Sequence, residues 1–157
     1  MGSKRSAPPE PSVILYLMKF NSLMPELYVT DFNKSFNFYT EILGFTLEYE
    51  RKNPSFAFLS YNGTQLMIQE LVLGEKEEMK LEHPFGRGMN FEINTSHLST
   101  LIQSLKEHGY PLTRDITGSW RNIGKNKEHG SKEILVNDPD GYLLRFSEDL
   151  GERSLGG

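Results

Sequence analysis

A chain of 157 residues fits one domain, or two half-domains sharing a core, at roughly 100–200 residues per domain. It contains no cysteine, which excludes disulfides, thiolate nucleophiles, cysteine-type structural zinc and iron–sulfur clusters. Lys and Arg number 17 and Asp and Glu 21, a net charge of −4 with no basic stripe, so nucleic acid is not an expected partner.

The N-terminus differs in composition from the rest. Lys4 and Arg5 followed by Val13–Met18 imitate a leader, but Ala7–Pro11 interrupts the pattern and the apolar run is too short for export or for a membrane span. Gly2 with Ser6 fits a myristoylation pattern short enough to arise often by chance. Met18 and Met24 are both plausible starts. Residues 1–22 are therefore expected to be an extension, poorly structured or not native, and the protein is expected to be cytoplasmic with no membrane partner.

From Pro25 the elements follow in order. In Pro25–Asp31, Leu27 and Val29 alternate with Glu26 and Tyr28, the signature of a half-buried strand. Asp31 can cap a helix that carries Phe32, Phe36, Tyr39 and Leu43 and stops at Gly44. Strands follow over Phe45–Arg51, Ser55–Tyr61 and Thr64–Leu71, broken at Asn53-Pro54 and at the Asn62-Gly63 hairpin turn. The order is βαβββ.

After a charged loop from Gly74 to Gly86 the pattern repeats. Met89–Asn94 alternates as a strand, and Ser96 is placed to cap a helix carrying Leu98, Leu101, Ile102 and Leu105 that ends at Gly109. Asp31 to Gly44 and Ser96 to Gly109 are both 13 residues, so the modules are in register. Strand-like segments near Leu112–Asp115, Trp120–Ile123 and Glu133–Asn137 lead through the turn Asp138–Gly141 to Tyr142–Ser147. The second module carries about 13 extra residues around Thr117–Gly130, read as a loop of the kind that often serves function or an interface. The predicted fold is α+β, two tandem βαβββ modules forming cupped mixed sheets. Module one spans 23–73 and module two 87–148 of a single domain over 23–152, with 153–157 a tail.

The motif Asp31, Ser35, Phe38, Tyr39, Leu43, Gly44, Phe45 and the closing run Asn137–Phe146, set in register around a repeat, resemble the vicinal-oxygen-chelate (glyoxalase and bleomycin-resistance) superfamily. The Pro25–Leu27 opening and the Phe56–Leu59 strand look most like its bleomycin-resistance branch. That branch implies an antibiotic-sequestering homodimer without chemistry of its own, often formed by exchanging modules, whereas most relatives are metal enzymes.

The resemblance locates the metal ligands of those enzymes. The first lies seven residues before the capping Asp, at Met24; its second-module counterpart is Gly88; the terminal Glu lies four residues after the turn Gly, at Arg145. A thioether, no side chain and a guanidinium make no divalent site. His83, His97, His108 and His129 fall in predicted loops or on the second helix, where they are expected to face solvent. Glu26, Gln69, Asn90 and Glu92 face the cup by alternation, which leaves a shifted site open. No catalytic residue, metal or cofactor is expected.

What remains on the cup is aromatic and charged: Glu26 and Tyr28 from the first strand, Asn90 and Glu92 from the fifth, and Leu143 and Arg145 from the eighth. Arg145 is expected to pair with Glu26 or Glu92, or to meet ligand. By resemblance Tyr49 and Phe56 fall near positions where bleomycin-resistance proteins stack the drug, with Phe58 read as either core or lining. The stretch where that branch carries a stacking Trp reads His129–Glu133 here, so one stacking partner is either missing or moved to Trp120, flanked by Arg121 in the extra segment. The expected ligand-binding set is Glu26, Tyr28, Tyr49, Phe56, Asn90, Glu92, Trp120, Arg121 and Arg145, with Glu26, Glu48 and Glu92 favouring a cationic aromatic ligand. The alternatives are a metal-dependent lyase, thiol transferase or dioxygenase, and a binding domain for another aromatic metabolite.

Overall fold

The computed structural model describes residues 18–72, 74 and 80–155. Module one consists of β1 (Glu26–Val29), the helix α1 (Phe32–Asn37), β2 (Thr46–Arg51), β3 (Phe56–Tyr61) and β4 (Thr64–Glu70). Asp31 caps α1 as expected, its Oδ1 accepting from Lys34 N at 3.0 Å. The helix then widens into a π-type turn over Phe38–Ile42, where Leu43 N reaches back to Phe38 O at 3.0 Å. The wider turn puts the rings of both Phe38 and Tyr39 fully into the core.

Module two repeats the order with β5 (Phe91–Asn94), the helix α2 (Leu98–Glu107), β6 (Arg114–Gly124), β7 (Lys127–Asn137) and β8 (Leu143–Ser154). The sheets are matched, β1-β4-β3-β2 and β5-β8-β7-β6, each with one parallel pair formed across its helix. One face of each sheet carries the core, with Leu27, Val29, Ala57, Leu59 and Ile68 from the first and Ile93, Ile134, Val136, Leu144 and Phe146 from the second. At about 1.5–3 kcal/mol for each large apolar side chain removed from water, this continuous core is the main stabilising term.

Three local expectations change. Ser96 does not cap α2. Its end is held by Glu148, whose Oε2 accepts from Leu98 N at 3.2 Å, while Thr95 Oγ1 accepts from His97 N; a carboxylate brought in from β8 serves the orphan amide and complements the helix dipole. The extra residues of module two are not a loop. They extend β6 and β7 into a hairpin closed at Lys125 and Asn126, both with φ near +55°, a two-residue turn of the primed type. β8 continues alongside through Ser154, so Arg153 and Ser154 belong to the sheet rather than to a tail. At the other end, residues 19–21 lie on module one: Asn21 N donates to Gln65 Oε1, Gln65 Nε2 to Lys19 O, and Phe20 packs on Phe58. The first 17 residues and parts of the Gly74–Gly86 connector lie outside the described residues.

Polar contacts clasp the modules together. The Tyr39 hydroxyl donates to Asp138 Oδ2 at 2.8 Å, Thr30 donates through its N–H and its hydroxyl to Asp140, and the Tyr142 hydroxyl donates to Tyr28 O. Asp138 Oδ1 accepts from the backbone N–H of both Asp140 and Tyr142. The tip of the β3–β4 hairpin answers on the other side, with Tyr61 bonded to Thr95 and Asn62 donating to Asn94 O.

Candidate functional site

The face of each sheet that carries no helix is built by the alternation that fills the core. On module two, Cα pairing sets Glu92, Arg145, Leu135 and Arg114 in one row, and Asn94, Ser147, Glu133 and Thr117 in the next. Neighbours in a row stand on the same face, close enough for their side chains to meet.

Arg145 is the hub of this face. Its guanidinium donates to Asn90 Oδ1 at 2.8 Å and lies 3.7 Å from carboxylate oxygens of both Glu92 and Glu133. Glu133, 7% exposed, is also bonded by Arg114 through its other oxygen. A buried carboxylate is costly unless paired, and two guanidinia meet that need. The expected pairing of Arg145 with Glu92 is present; Glu26 stands on module one and makes no pair with it. Glu133 was legible only as the first residue of a predicted strand; its position near Arg145 comes from the register of β7 on β8.

Next to this hub lies a cavity of about 500 Å³, lined by Glu92, Asn94, Ser131, Glu133, Ser147 and Asp149 together with Arg121 and His129 of the hairpin arm and Asn62 of module one. It touches the hub through Glu92 and Glu133 rather than through Arg145 or Asn90, which do not line it. His129 is held by Asp149, Nε2 to Oδ1 2.9 Å. It stands on β7 rather than in a loop, because pairing with β6 and β8 carries the strand across Gly118, Gly124 and Gly130, residues that weaken a strand signal in isolation. Glu92 and Asn90 also border a second cleft of about 330 Å³ along the module junction, shared with Pro25 and Gln65.

Trp120 and Arg121 part company. Successive residues of a strand face opposite ways, and Arg121 takes the cavity side. Trp120 lies on the helix side, its ring across Gly130 and beneath the Arg153 guanidinium at 4.1 Å. Trp120 therefore does not stack against anything in the cavity.

Module one presents an aromatic face. Tyr49 packs on Phe56 and Phe58 with ring centres 5.7 and 5.3 Å apart, Arg51 lies 3.9 Å over Phe56, and Phe20 covers Phe58. Phe56 and Phe58 are 2% and 1% exposed, so their faces are taken up by these neighbours. Tyr49, Tyr28 and Glu26 stand nearer the surface, and none of these residues lines the 500 Å³ cavity. Glu48 accepts a hydrogen bond from Ser60.

The residues at the family's ligand positions do not fit a divalent ion. Arg145 puts a guanidinium where the terminal carboxylate would stand, and the nearest buried carboxylate, Glu133, has both oxygens facing guanidinia. Among the described residues no three His, Asp or Glu side chains converge closely enough to hold a metal. Nor is any helix among them long and apolar enough to cross a membrane.

Similarity to known proteins agrees with this architecture. The chain is 26% identical over 132 residues to a lactoylglutathione lyase of Haemophilus influenzae, covering 82% of this chain and 92% of that one. It is 31% identical over 124 residues to an Arabidopsis thaliana lactoylglutathione lyase, covering 75% of this chain but only 40% of the relative's length. Among solved structures, an integron cassette protein of Vibrio cholerae superposes with a TM-score of 0.58 at 21% identity, over 84% of this chain and 98% of that one. A fosfomycin resistance protein of Listeria monocytogenes gives 0.51 at 17% identity, over 89% and 94%. These last two carry the fold alone. The sequence pattern of one family runs across residues 19–146, through both modules and the turn that joins β7 to β8, and by that match the chain belongs to the Glyoxalase/Bleomycin resistance protein/Dioxygenase superfamily.

Proposed function

We propose that the protein binds and sequesters a small molecule in the cavity on module two without using a metal, in the manner of the bleomycin-resistance branch. The observation that carries this reading is Arg145, a cation at the centre of the cup floor where a metal enzyme of the superfamily needs a carboxylate, tied to Glu92, Glu133 and Asn90. A cavity of about 500 Å³ is of the size that holds a small ligand. The half-exposed Glu92 suits a cationic group, and Tyr49 on the neighbouring module offers a ring for an aromatic one. A fosfomycin resistance protein shares this fold, which is in keeping with a role in antibiotic resistance.

In this reading two chains associate, so that Glu26, Tyr28 and Tyr49 of one module and Glu92, Arg121 and Arg145 of another serve a shared cleft, twice per dimer, with Phe56 supporting Tyr49 from below. Light scattering at micromolar concentration should give about twice the 18.0 kDa of the chain; a monomer removes the shared cleft.

The competing reading is a metal-dependent lyase, supported by the similarity to lactoylglutathione lyases, with Glu26, Gln69 or Glu92 the oxygen donors it would draw on. Elemental analysis separates the two, since about one Zn, Mn, Ni or Fe bound per chain favours the enzyme. A thermal-shift screen that includes bleomycin and phleomycin tests the binding protein directly, because a ligand raises stability as RT ln(1 + [L]/Kd).

A further inference from the structure

Arg121 stands apart from the other arginines. Among the described residues Arg51 lies over Phe56, Arg87 pairs with Glu82, Arg114 with Glu133, Arg145 with Glu92 and Glu133, and Arg153 with Glu128. Arg121 has no carboxylate, hydrogen-bond or ring partner among them, and it lines the cavity from the hairpin arm.

The surrounding carboxylates are already answered. Glu133 faces Arg114 and Arg145, Asp149 accepts from His129 and from Gly151 N, and Glu152 accepts from Lys127 at 2.8 Å. The residue directly opposite Arg121 on β7 is His129, itself a nitrogen base and not an acceptor partner of the acidic kind. A guanidinium offers a planar fork of N–H donors matched to a carboxylate or phosphoryl group, and such charge-assisted pairs are about twice as strong as neutral hydrogen bonds.

We propose that the hairpin arm builds an anion subsite, in which Arg121, beside His129, takes a carboxylate or phosphoryl group of the ligand. Resting on the reading of this cavity as the ligand site, it makes the ligand bifunctional: a group suited to Glu92 at one end and an oxyanion at the other. The site is then specific to this chain's extra segment, because Arg121 and His129 are carried by the residues that lengthen β6 and β7.

The test uses the whole protein, labelled with ¹⁵N and observed at its arginine Nε–H signals, titrated at constant ionic strength with inorganic phosphate and separately with acetate. The expected result is a saturable shift of the Arg121 signal with at least one of the two anions, which of them responds deciding between phosphoryl and carboxylate. Arg121→Gln should weaken that anion's binding at least tenfold, read as loss of its thermal stabilisation, while Arg153→Gln on the opposite face should retain it. No saturable shift with either anion, or equal stabilisation in Arg121→Gln, overturns the subsite. A saturable Arg121 response alongside an empty ligand screen would remove the sequestration reading and leave the subsite standing.

Discussion

The Trp120 indole lies flat across Gly130, so near that a Cβ built at position 130 would stand 2.8 Å from its ring atoms. Pairing of Trp120 with Gly130 across β6 and β7 makes this contact, and Arg153 covers the ring's surroundings from β8. Gly130→Ala should displace the indole and cost about 1–3 kcal/mol, the scale of overpacking in a filled site. Trp120 is the only tryptophan of the chain, so its emission should shift to longer wavelength along with the loss of stability. Unchanged emission and stability would contradict the packing role.

Arg145 neutralises a carboxylate that cannot reach water. Arg145→Glu would set a third carboxylate beside Glu92 and Glu133, and a loss of about 3–5 kcal/mol is expected from urea unfolding, the scale for a broken buried pair. Glu92→Gln should cost under about 1 kcal/mol, because Glu92 is half exposed and its pair is screened. If the two variants lose equal stability, the partner that matters to Arg145 is Glu92 and not Glu133.

Burial pushes the Asp138 carboxyl up from 3.8 to about 6, against hydrogen bonds from Tyr39 and from the N–H groups of Tyr142 and Asp140 that pull it down; the charge of Asp140 adds to the rise. The folded protein therefore holds this proton more tightly than the unfolded chain. The resulting stabilisation is full below about pH 4 and is lost as pH rises through about 6. The rise from 3.8 to about 6 corresponds to about 3 kcal/mol. Asp138→Asn stays neutral throughout, so the stability difference between parent and variant should change by about 2–3 kcal/mol between pH 4 and pH 7. Parallel pH profiles would show that the clasp carries no such charge.

Phe20, 37% exposed, meets the Phe58 ring at 5.4 Å and is tethered by the hydrogen bonds of Gln65 to its two neighbours, accepting from Asn21 N and donating to Lys19 O. Phe20→Ala should remove about 0.5–1.5 kcal/mol of ring contact. It should also expose Phe58, seen as increased binding of a hydrophobic dye. A stable variant with unaltered dye binding would mean that Phe58 is covered by other residues.

How much of this was legible in the sequence differs between elements. The tandem βαβββ order, the Asp31 cap, the turns at Asn62-Gly63 and Asp138–Gly141, and the face of each residue on β1, β5 and β8 followed from local properties: period-two alternation, capping chemistry and the backbone freedom of glycine. That Arg145 and Glu92 both stand on the cup face followed too, because parity along a strand is a local fact. Other features depended on what lay across the fold. Gly118, Gly124 and Gly130 read as loop, yet strand pairing extended β6 and β7 through them, moved His129 onto the cavity wall and sent Trp120 to the far side. Glu148 displaced Ser96 as the cap of α2 because a carboxylate from β8 arrived at the same amides. The second guanidinium on Glu133, from Arg114 of β6, depended on the register across the bulge between Arg114 and Thr117. Sequence determined which way each side chain points along its own strand, since that is set by neighbouring φ and ψ; only tertiary structure decided which side chains from separate strands meet, since that is set by register and by the energy of pairing buried groups.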